Sequence, residues 1–204
     1  MSKPSSPAKV RRTNAAMTFE TQANILQSTI ASLAEHGYAG TTMSNIAGRV
    51  GLSRAALIYH YENKHMLMTA VIGFIYDEMT QIYREAAHPS LTPSERMLAI
   101  VDASFRFTST NSQIAQIELL LAARRDPDFR NEVAPVIAAR DHAFQDAWHL
   151  MAKEIGGNQD RLDLIRDFAV SVFRGITINR SLSTGMDSFD RQHALLRKLL
   201  LESL

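Results

Sequence analysis

The sequence predicts an all-α protein. Apolar residues recur three and four positions apart in most segments of the chain, which is the spacing that buries one face of an α-helix. The breaks between segments carry helix-start signals. Thr92, Pro93 and Glu95 form the pattern of a capping box with a proline in the first turn, and Asp126 followed by Pro127 repeats the cap and the proline. We therefore expect a succession of packed helices.

Composition excludes several classes of protein. The 204 residues contain no cysteine, so the chain has no disulfide framework and no thiolate chemistry. No apolar run approaches the roughly 20 residues of a membrane span, and the N-terminus has no apolar signal region. We therefore expect a cytoplasmic protein that does not bind membranes. No Ser/His/Asp or Cys/His set, phosphate loop or convincing carboxylate pair is visible, so we expect no enzyme and no cofactor.

One histidine cluster requires a separate assessment. His142, Asp146 and His149 share one helix face at a spacing that a metal site could use. No clear partner cluster lies nearby in the sequence. The preferred interpretation is a solvated polar face, and we predict no metal site.

Charge is unevenly distributed along the chain. The net charge is only +1, but residues 1–65 hold seven basic side chains against three acidic ones, a local charge of +4. A basic front suits a molecule that presents one end to a polyanion. Residues 1–17 are predicted to form a disordered basic arm, which could lie along phosphates or in a minor groove. A merely solubilising tail remains the alternative.

Residues 18–64 predict three helices. The first begins near Thr18, carries an apolar stripe and stops at Gly37. Two short helices with a tight turn follow: Thr42 caps one, Gly51 supplies the left-handed residue that ends it, and Ser53 caps the next. Their inward residues are Ile46, Ala47, Val50, Leu57 and Tyr61. This spacing is typical of a helix-turn-helix, although two ordinary packed helices remain the alternative.

Several short runs in this region resemble one family. They are Gly-Tyr-x-Gly-Thr-Thr at 37–42, Ile-Ala at 46–47, Gly-Leu-Ser at 51–53 and His-Tyr-Glu-Asn-Lys at 60–64. In order and spacing they resemble the DNA-binding domain of TetR-family transcriptional regulators, over about residues 19–71. Beyond that range the resemblance extends only to length, helicity and position. Ile58 is a departure, because the family usually has a phosphate-binding tyrosine at that position.

The resemblance implies an N-terminal three-helix bundle with a helix-turn-helix and, at residues 65–204, a helical ligand-binding and dimerisation domain. Double-stranded DNA with a palindromic operator is the implied partner of a homodimer. Arg54 and Tyr59 are the best candidates for base edges, and Ala55 could contact thymine methyl groups. The other predicted contacts, to phosphates, come from hydroxyl and basic groups and helix starts. They are Thr42, Ser44, Ser53, His60 and Lys64.

The C-terminal region predicts long helices with apolar faces. A connector runs on from His65, a helix near residues 113–125 is expected to bury Ile114, Ile117, Leu120 and Leu121, and two final helices span about 160–183 and 188–201. Aromatic and methionine side chains could line a ligand cavity, with an arginine to anchor a polar group. The predicted ligand set is Tyr83, Phe105, Phe144, Trp148, Met151, Phe168 and Arg174. Many of these residues could equally be plain core.

The last two helices supply more apolar face than a terminal hairpin needs. By resemblance they pair with their copies in a four-helix dimer interface, and an intramolecular core is the alternative. The predicted interface residues are Phe168, Val172, Ile176, Leu195, Leu196 and Leu199. Together these expectations describe a one-component regulator, a repressor that an unknown small-molecule effector releases from its operator. An architectural or cell-division DNA-binding factor of the same fold, with no effector, is the alternative.

Overall fold

The structure is a computed structural model that describes residues 14–156, 158–182 and 187–204. This part of the chain forms nine α-helices and no strand, which confirms the all-α prediction. The helices are α1 (Asn14–Gly40), α2 (Met43–Arg49), α3 (Arg54–His60), α4 (Lys64–Ala86), α5 (Pro93–Phe107), α6 (Asn111–Arg125), α7 (Pro127–Ile155), α8 (Gln159–Arg180) and α9 (Asp187–Leu201). Most of the predicted basic arm, residues 1–13, lies outside the described residues, and α1 already includes residues 14–17.

The turn between α2 and α3 forms as its local residues predict. The Thr42 hydroxyl accepts a hydrogen bond from the Asn45 amide at 3.2 Å, and the Ser53 hydroxyl accepts one from the Ala56 amide at 3.1 Å. Both side chains thus satisfy a backbone donor that the first helical turn leaves free. Gly51 lies between the two helices with a φ of 70°, a conformation that other residues adopt only with strain. The helix-turn-helix prediction is confirmed in its caps and its turn.

Other helix ends also follow local signals. Gly37, predicted to end the first helix, breaks α1 with φ 67° and ψ 179°, although one more turn continues to Gly40. Thr92 and Glu95 form the predicted capping box at the start of α5. The long helix α7 continues across Pro135 and ends at Gly156, which has a φ of 73°. These helix ends are therefore set by residues close to them in the sequence rather than by tertiary contacts.

The buried face of α6 differs from the prediction. Of the four residues expected to face the core, Ile114, Ile117 and Leu120 are only partly buried and Leu121 is exposed. The face that is buried carries small and amide side chains, namely Ser112, Gln113, Ala115, Gln116, Leu119, Ala122 and Ala123. The physical reason is close packing, because small residues allow α1 and its neighbours to approach α6 more closely than leucines would. The predicted buried face of α6 was therefore wrong, although the predicted helix itself is present.

Two hydrophobic cores run through the described chain. The first core is formed by helices α1, α2, α3, α4 and α6 and the start of α7. It includes Leu57, Leu67, Leu119, Phe129 and Val133. The second core joins α5, α8, α9 and the end of α7. The first core contains residues from both sides of residue 64. The predicted domain boundaries, between residues 17 and 18 and between residues 64 and 65, therefore remain proposals. None of the described helices is long and apolar enough to cross a membrane.

Candidate DNA-binding surface and ligand cavity

Helix α3 presents an unusually exposed set of side chains. Only Leu57 is buried in this helix, whereas Arg54, Ala55 and Ile58 are exposed and Tyr59 is 87 % exposed. Arg54 has no hydrogen bond or ion pair to the described part of the chain, so its guanidinium is available to a partner. An exposed tyrosine and a free arginine on one short helix match the chemistry of base-edge recognition in a major groove. These are the positions that the sequence predicted.

The predicted phosphate contacts lie around α3. Thr42, Ser44 and Ser53 are exposed at the starts of α2 and α3, where helix N-termini attract anions. His60 is half-buried at the end of α3, and its ring meets Tyr59 edge to face with 5.7 Å between centroids. These polar groups therefore all lie within the helix-turn-helix, from the start of α2 to the end of α3.

Lys64 has a contact that the sequence did not predict. Its ammonium nitrogen donates to the Tyr38 carbonyl oxygen at 2.6 Å and lies 4.0 Å from the centroid of the Tyr38 ring. Burial lowers the pKa of Lys64 from its ordinary value. Lys64 thus connects the start of α4 to the end of α1, and its other N–H donors remain for a phosphate.

The end of α1 is also fastened to α6. The Tyr38 amide donates to a Glu118 carboxylate oxygen, Oε2, at 3.1 Å, and a Cβ placed on Gly37 would come within 3.1 Å of that oxygen. The Tyr38 ring stacks on Phe129 of α7, with 5.6 Å between centroids. These partners lie about 80 to 90 residues apart in the chain, so no local pattern predicts them. The structure reveals a direct contact between the helix-turn-helix region and the C-terminal helices.

A second contact of this kind involves His65. Its Nε2 lies 3.1 Å from a carboxylate oxygen of Asp126, the residue that caps α7. The Phe129 amide donates to Asp126, and this bond, together with His65, lowers the pKa of the Asp126 carboxyl. The start of α4 is therefore held against the junction of α6 and α7.

A cavity of about 630 Å³ lies among α4, α5, α6, α7 and α8. This volume is within the usual range for small-molecule sites. Five predicted ligand residues line it, namely Tyr83, Phe144, Trp148, Met151 and Arg174. The other two do not. Phe105 stacks on His193 at 4.1 Å between centroids, and Phe168 is half-exposed on α8.

Neutral polar groups line the inner part of this cavity. The Ser104 hydroxyl donates to the Tyr83 phenol oxygen at 3.0 Å, and burial raises the pKa of Tyr83. Gln113 and Gln116 reach the cavity from α6. Neither glutamine is among the predicted ligand residues, because the apolar periodicity of α6 favours a different buried face.

Arginines mark the edge of the cavity. Three of them are paired with carboxylates: Arg96 with Glu154 at 2.9 Å, Arg140 with Asp77 at 2.7 Å and Arg166 with Asp163 at 3.2 Å. Arg174 is exposed and has no ion pair within the described chain. Arg84 also lines the cavity and bonds only Gln81 among the described residues, so Arg174 and Arg84 are the lining cations available to a polar or anionic group.

The polar face of α7 contains no metal cluster. His149 pairs with Asp163 at 3.1 Å, while His142 and Asp146 are exposed. Over the described ranges, no group of three His, Cys, Asp or Glu side chains could hold a metal ion.

The predicted interface residues fall into two groups. Phe168, Val172, Leu195 and Leu199 are exposed or partly exposed on α8 and α9. Ile176 and Leu196 are buried in the second core of their own chain, so they have no surface to offer a partner.

Comparisons with known proteins agree with this architecture. The model of the tetR family of bacterial regulatory proteins matches residues 25–71. The HTH-type transcriptional regulator CymR of Pseudomonas putida is 25% identical over 182 residues, covering 89% of each chain. An uncharacterised HTH-type transcriptional regulator of Mycobacterium tuberculosis is 25% identical over 199 residues, covering 95% of this chain and 99% of its own.

A solved structure extends the agreement to the whole fold. A TetR-family transcriptional regulator from Rhodococcus sp. superposes with a TM-score of 0.71 at 18% identity, covering 90% of this chain and 98% of that one. These likenesses agree with the helix-turn-helix and its exposed α3. Residues 25–71 match the tetR family of bacterial regulatory proteins, and over most of its length the chain is similar to HTH-type transcriptional regulators and has the fold of a TetR-family regulator.

Proposed function

We propose that the protein is a homodimeric repressor that binds a palindromic operator and leaves it when a small molecule occupies the cavity. The observation that carries this proposal is the position of α6. Gln113 and Gln116 line the cavity, and Glu118, less than one turn further on, accepts the hydrogen bond from Tyr38 at the end of α1. One rigid helix therefore contacts both the ligand site and the helix-turn-helix region.

This arrangement provides a route for control. A ligand that shifts α6 displaces Glu118 and, with it, the end of α1 that leads into α2. Packed helices shift between discrete arrangements rather than deforming continuously, so a small displacement at the cavity changes the placement of α3. The ligand acts by favouring the arrangement with the lower operator affinity.

Helix α8 supplies the surface for dimerisation. Its exposed apolar residues Leu164, Phe168 and Ile178 recur at the spacing of a single helix stripe, with Gly175 between Phe168 and Ile178, and exposed Leu182 follows in the turn after α8. A glycine in the stripe lets a second helix approach closely. Leu195 and Leu199 of α9 extend the surface, whereas Ile176 and Leu196 are left out because they are buried. A second copy is the partner we propose for this stripe.

A dimer explains how the site on DNA is chosen. Two copies of α3 about 34–36 Å apart, or a multiple of that distance, meet successive major grooves and read a palindrome. Arg54, Ala55 and Tyr59 take the base edges in this proposal. The phosphate contacts are assigned to Thr42, Ser44, Ser53, His60 and Lys64.

Selection of bound sequences from a random DNA pool tests the operator. We expect an enriched inverted repeat, and the recovered sequence then serves in a fluorescence anisotropy screen for compounds that release it. Binding without an enriched palindrome would instead favour an architectural factor of the same fold. An operator that no compound in a broad library releases would remove the effector step while leaving the operator assignment.

The dimer is tested by one substitution on the stripe. Phe168→Glu places a charge in the proposed interface and should convert the protein to a monomer by sedimentation velocity, with loss of tight operator binding. Leu121→Glu is the matched control, because Leu121 is an equally exposed residue on α6 outside the stripe. A Phe168→Glu protein that remains dimeric would rule out this surface as the interface.

A further inference from the structure

The buried face of α6 carries two glutamines where a helical core usually has apolar residues. Gln113 is 6 % exposed and Gln116 is 3 % exposed, while Leu121 on the opposite face is exposed to solvent. Glutamine is seldom fully buried without partners, because its carboxamide must be desolvated. Both side chains line the cavity. Their placement indicates that they serve the cavity rather than the core.

The hydrogen bonds of the two glutamines support this interpretation. Two carboxamides offer four N–H donors and two carbonyl oxygens. Gln113 Nε2 donates to Gln116 Oε1 at 3.0 Å, and Gln116 Nε2 reaches only the Met79 sulfur at 3.8 Å, a weak acceptor. The remaining side-chain N–H groups and the Gln113 carbonyl oxygen have no partner among the described residues. The pair therefore presents both donors and an acceptor to an occupant of the cavity.

The contacts of the pair are with uncharged groups. The two glutamines bond each other and the Met79 sulfur, and the cavity lining also includes Tyr83, Ser104 and the aromatic residues Phe144, Trp148 and Phe173. The one buried arginine in the wall, Arg166, is already paired with Asp163 and Asp167. An ionised group placed against the glutamines would lose its hydration and gain no counter-ion, which disfavours charged ligands at this end.

We propose that the cavity binds an uncharged, largely apolar molecule through one group that both donates and accepts hydrogen bonds, such as an amide or a lactam, held by Gln113 and Gln116. The inference deepens the proposed function, because it rests on the cavity being the effector site. The aromatic wall around Trp148 and Phe173 receives the apolar body of the molecule. The amide pair fixes its orientation.

The test compares three probes with the same body: 4-butylbenzamide, butylbenzene and 4-butylbenzoate. Trp148 is the single tryptophan of the chain, is buried and lines the cavity, so its emission reports occupancy without any DNA. We expect the benzamide to bind at least about tenfold more tightly than either of the other probes, because only it satisfies the glutamines without bringing a charge. Equal or weaker binding of the benzamide would overturn the proposal.

Two substitutions make the test specific. Replacing both residues, Gln113→Met with Gln116→Met, keeps side-chain length and removes the amides. The benzamide should then lose about tenfold in affinity while butylbenzene binds more tightly, and the gain itself shows that the cavity remains folded. Gln116→Met alone should give the same direction with a smaller change. Gln145→Met, at an exposed position of α7 that does not line the cavity, is the matched control and should leave all three affinities unchanged.

The remaining outcomes are also decisive. Tightest binding of the benzoate would overturn the proposal and indicate an anion site, with Arg174 as its cation. Selectivity for the benzamide that survives in the double variant would overturn it as well. If the benzamide changes Trp148 emission but leaves operator affinity unchanged, the proposed release from DNA is wrong, whereas the proposed ligand site is not contradicted.

Discussion

The helix-turn-helix region and the cavity are built in different ways. In the first, each turn is set by side chains within four positions of one another, such as Thr42 with Asn45 and Ser53 with Ala56. In the second, the wall joins residues far apart in the chain, such as Tyr83 with Ser104 and Met79 with Gln116. The DNA-binding surface is therefore a local product of the sequence, whereas the ligand site is a product of helix packing.

The largest expected effect comes from the one buried side chain of α3. Leu57→Ala should lower the free energy of unfolding by about 2–5 kcal/mol and abolish operator binding, because it empties the core position that holds α3. Urea unfolding followed by circular dichroism and by Trp148 emission measures the effect. Because the first core contains residues from both regions, and α7 runs from it into the second core that holds Trp148, we expect the two signals to shift together.

Ile58→Ala provides the control for this prediction. Ile58 is the neighbouring residue and is exposed, so its loss should change the unfolding free energy little. A loss of helix signal that precedes the Trp148 transition would contradict the shared core. It would mean that the helix-turn-helix region unfolds as an independent unit.

The same contrast explains what the sequence could predict. Caps and left-handed glycines act within a few residues, so the helix ends at Gly37, Ser53 and Glu95 were predictable. The buried face of α6 was not, because apolar periodicity favours Ile114 and Leu121 over a face of alanines and glutamines. Which face is buried depends on how closely neighbouring helices approach, and periodicity carries no information about that distance.

The cavity residues show the same limit. Aromatic side chains on amphipathic helices are consistent with core and cavity alike, so Phe144 and Trp148 were predicted together with Phe105, which packs elsewhere. The contact between Tyr38 and Glu118 joins residues 80 positions apart, and no spacing rule predicts it. Long-range contacts of this kind required the folded structure.

Two substitutions distinguish base contacts from phosphate contacts within the DNA-binding surface. Arg54→Ala should relax base preference and cost about 1–3 kcal/mol of operator affinity, because a bidentate guanidinium contact to guanine is lost. Lys64→Ala should weaken binding to all sequences alike and flatten its dependence on salt. Binding titrations on the operator, on single-base variants and at several salt concentrations distinguish the two effects.

The structure adds a second consequence for Lys64. Removing its ammonium group also removes the hydrogen bond to the Tyr38 carbonyl, so Lys64→Ala should lower thermal stability where Arg54→Ala does not. If Arg54→Ala weakened all sequences equally and Lys64→Ala altered base preference, the two assigned roles would be exchanged.

The smallest expected effect concerns a local signal inside the C-terminal region. Asp126 caps α7, and the Phe129 amide and His65 hold the pKa of its carboxyl below the ordinary value of 3.8. A lowered pKa means that the charged cap stabilises the folded protein above that value, and this contribution is lost as the pH falls through the lowered pKa. Asp126→Asn retains a capping oxygen but not the charge, so it should lower stability slightly at neutral pH.

The difference in stability between the two proteins should be present at neutral pH and shrink in acid. Thermal unfolding followed across the acid range should show Asp126→Asn losing less stability than the unsubstituted protein as the pH falls, because one contributing carboxylate no longer titrates. Asp128→Asn is the control, since it removes a charge from the same helical turn without removing the side chain that caps it. Parallel pH profiles for all three proteins would mean that the Asp126 oxygen acts as a neutral cap. The junction between α6 and α7 would then be held by packing against Phe129 rather than by charge.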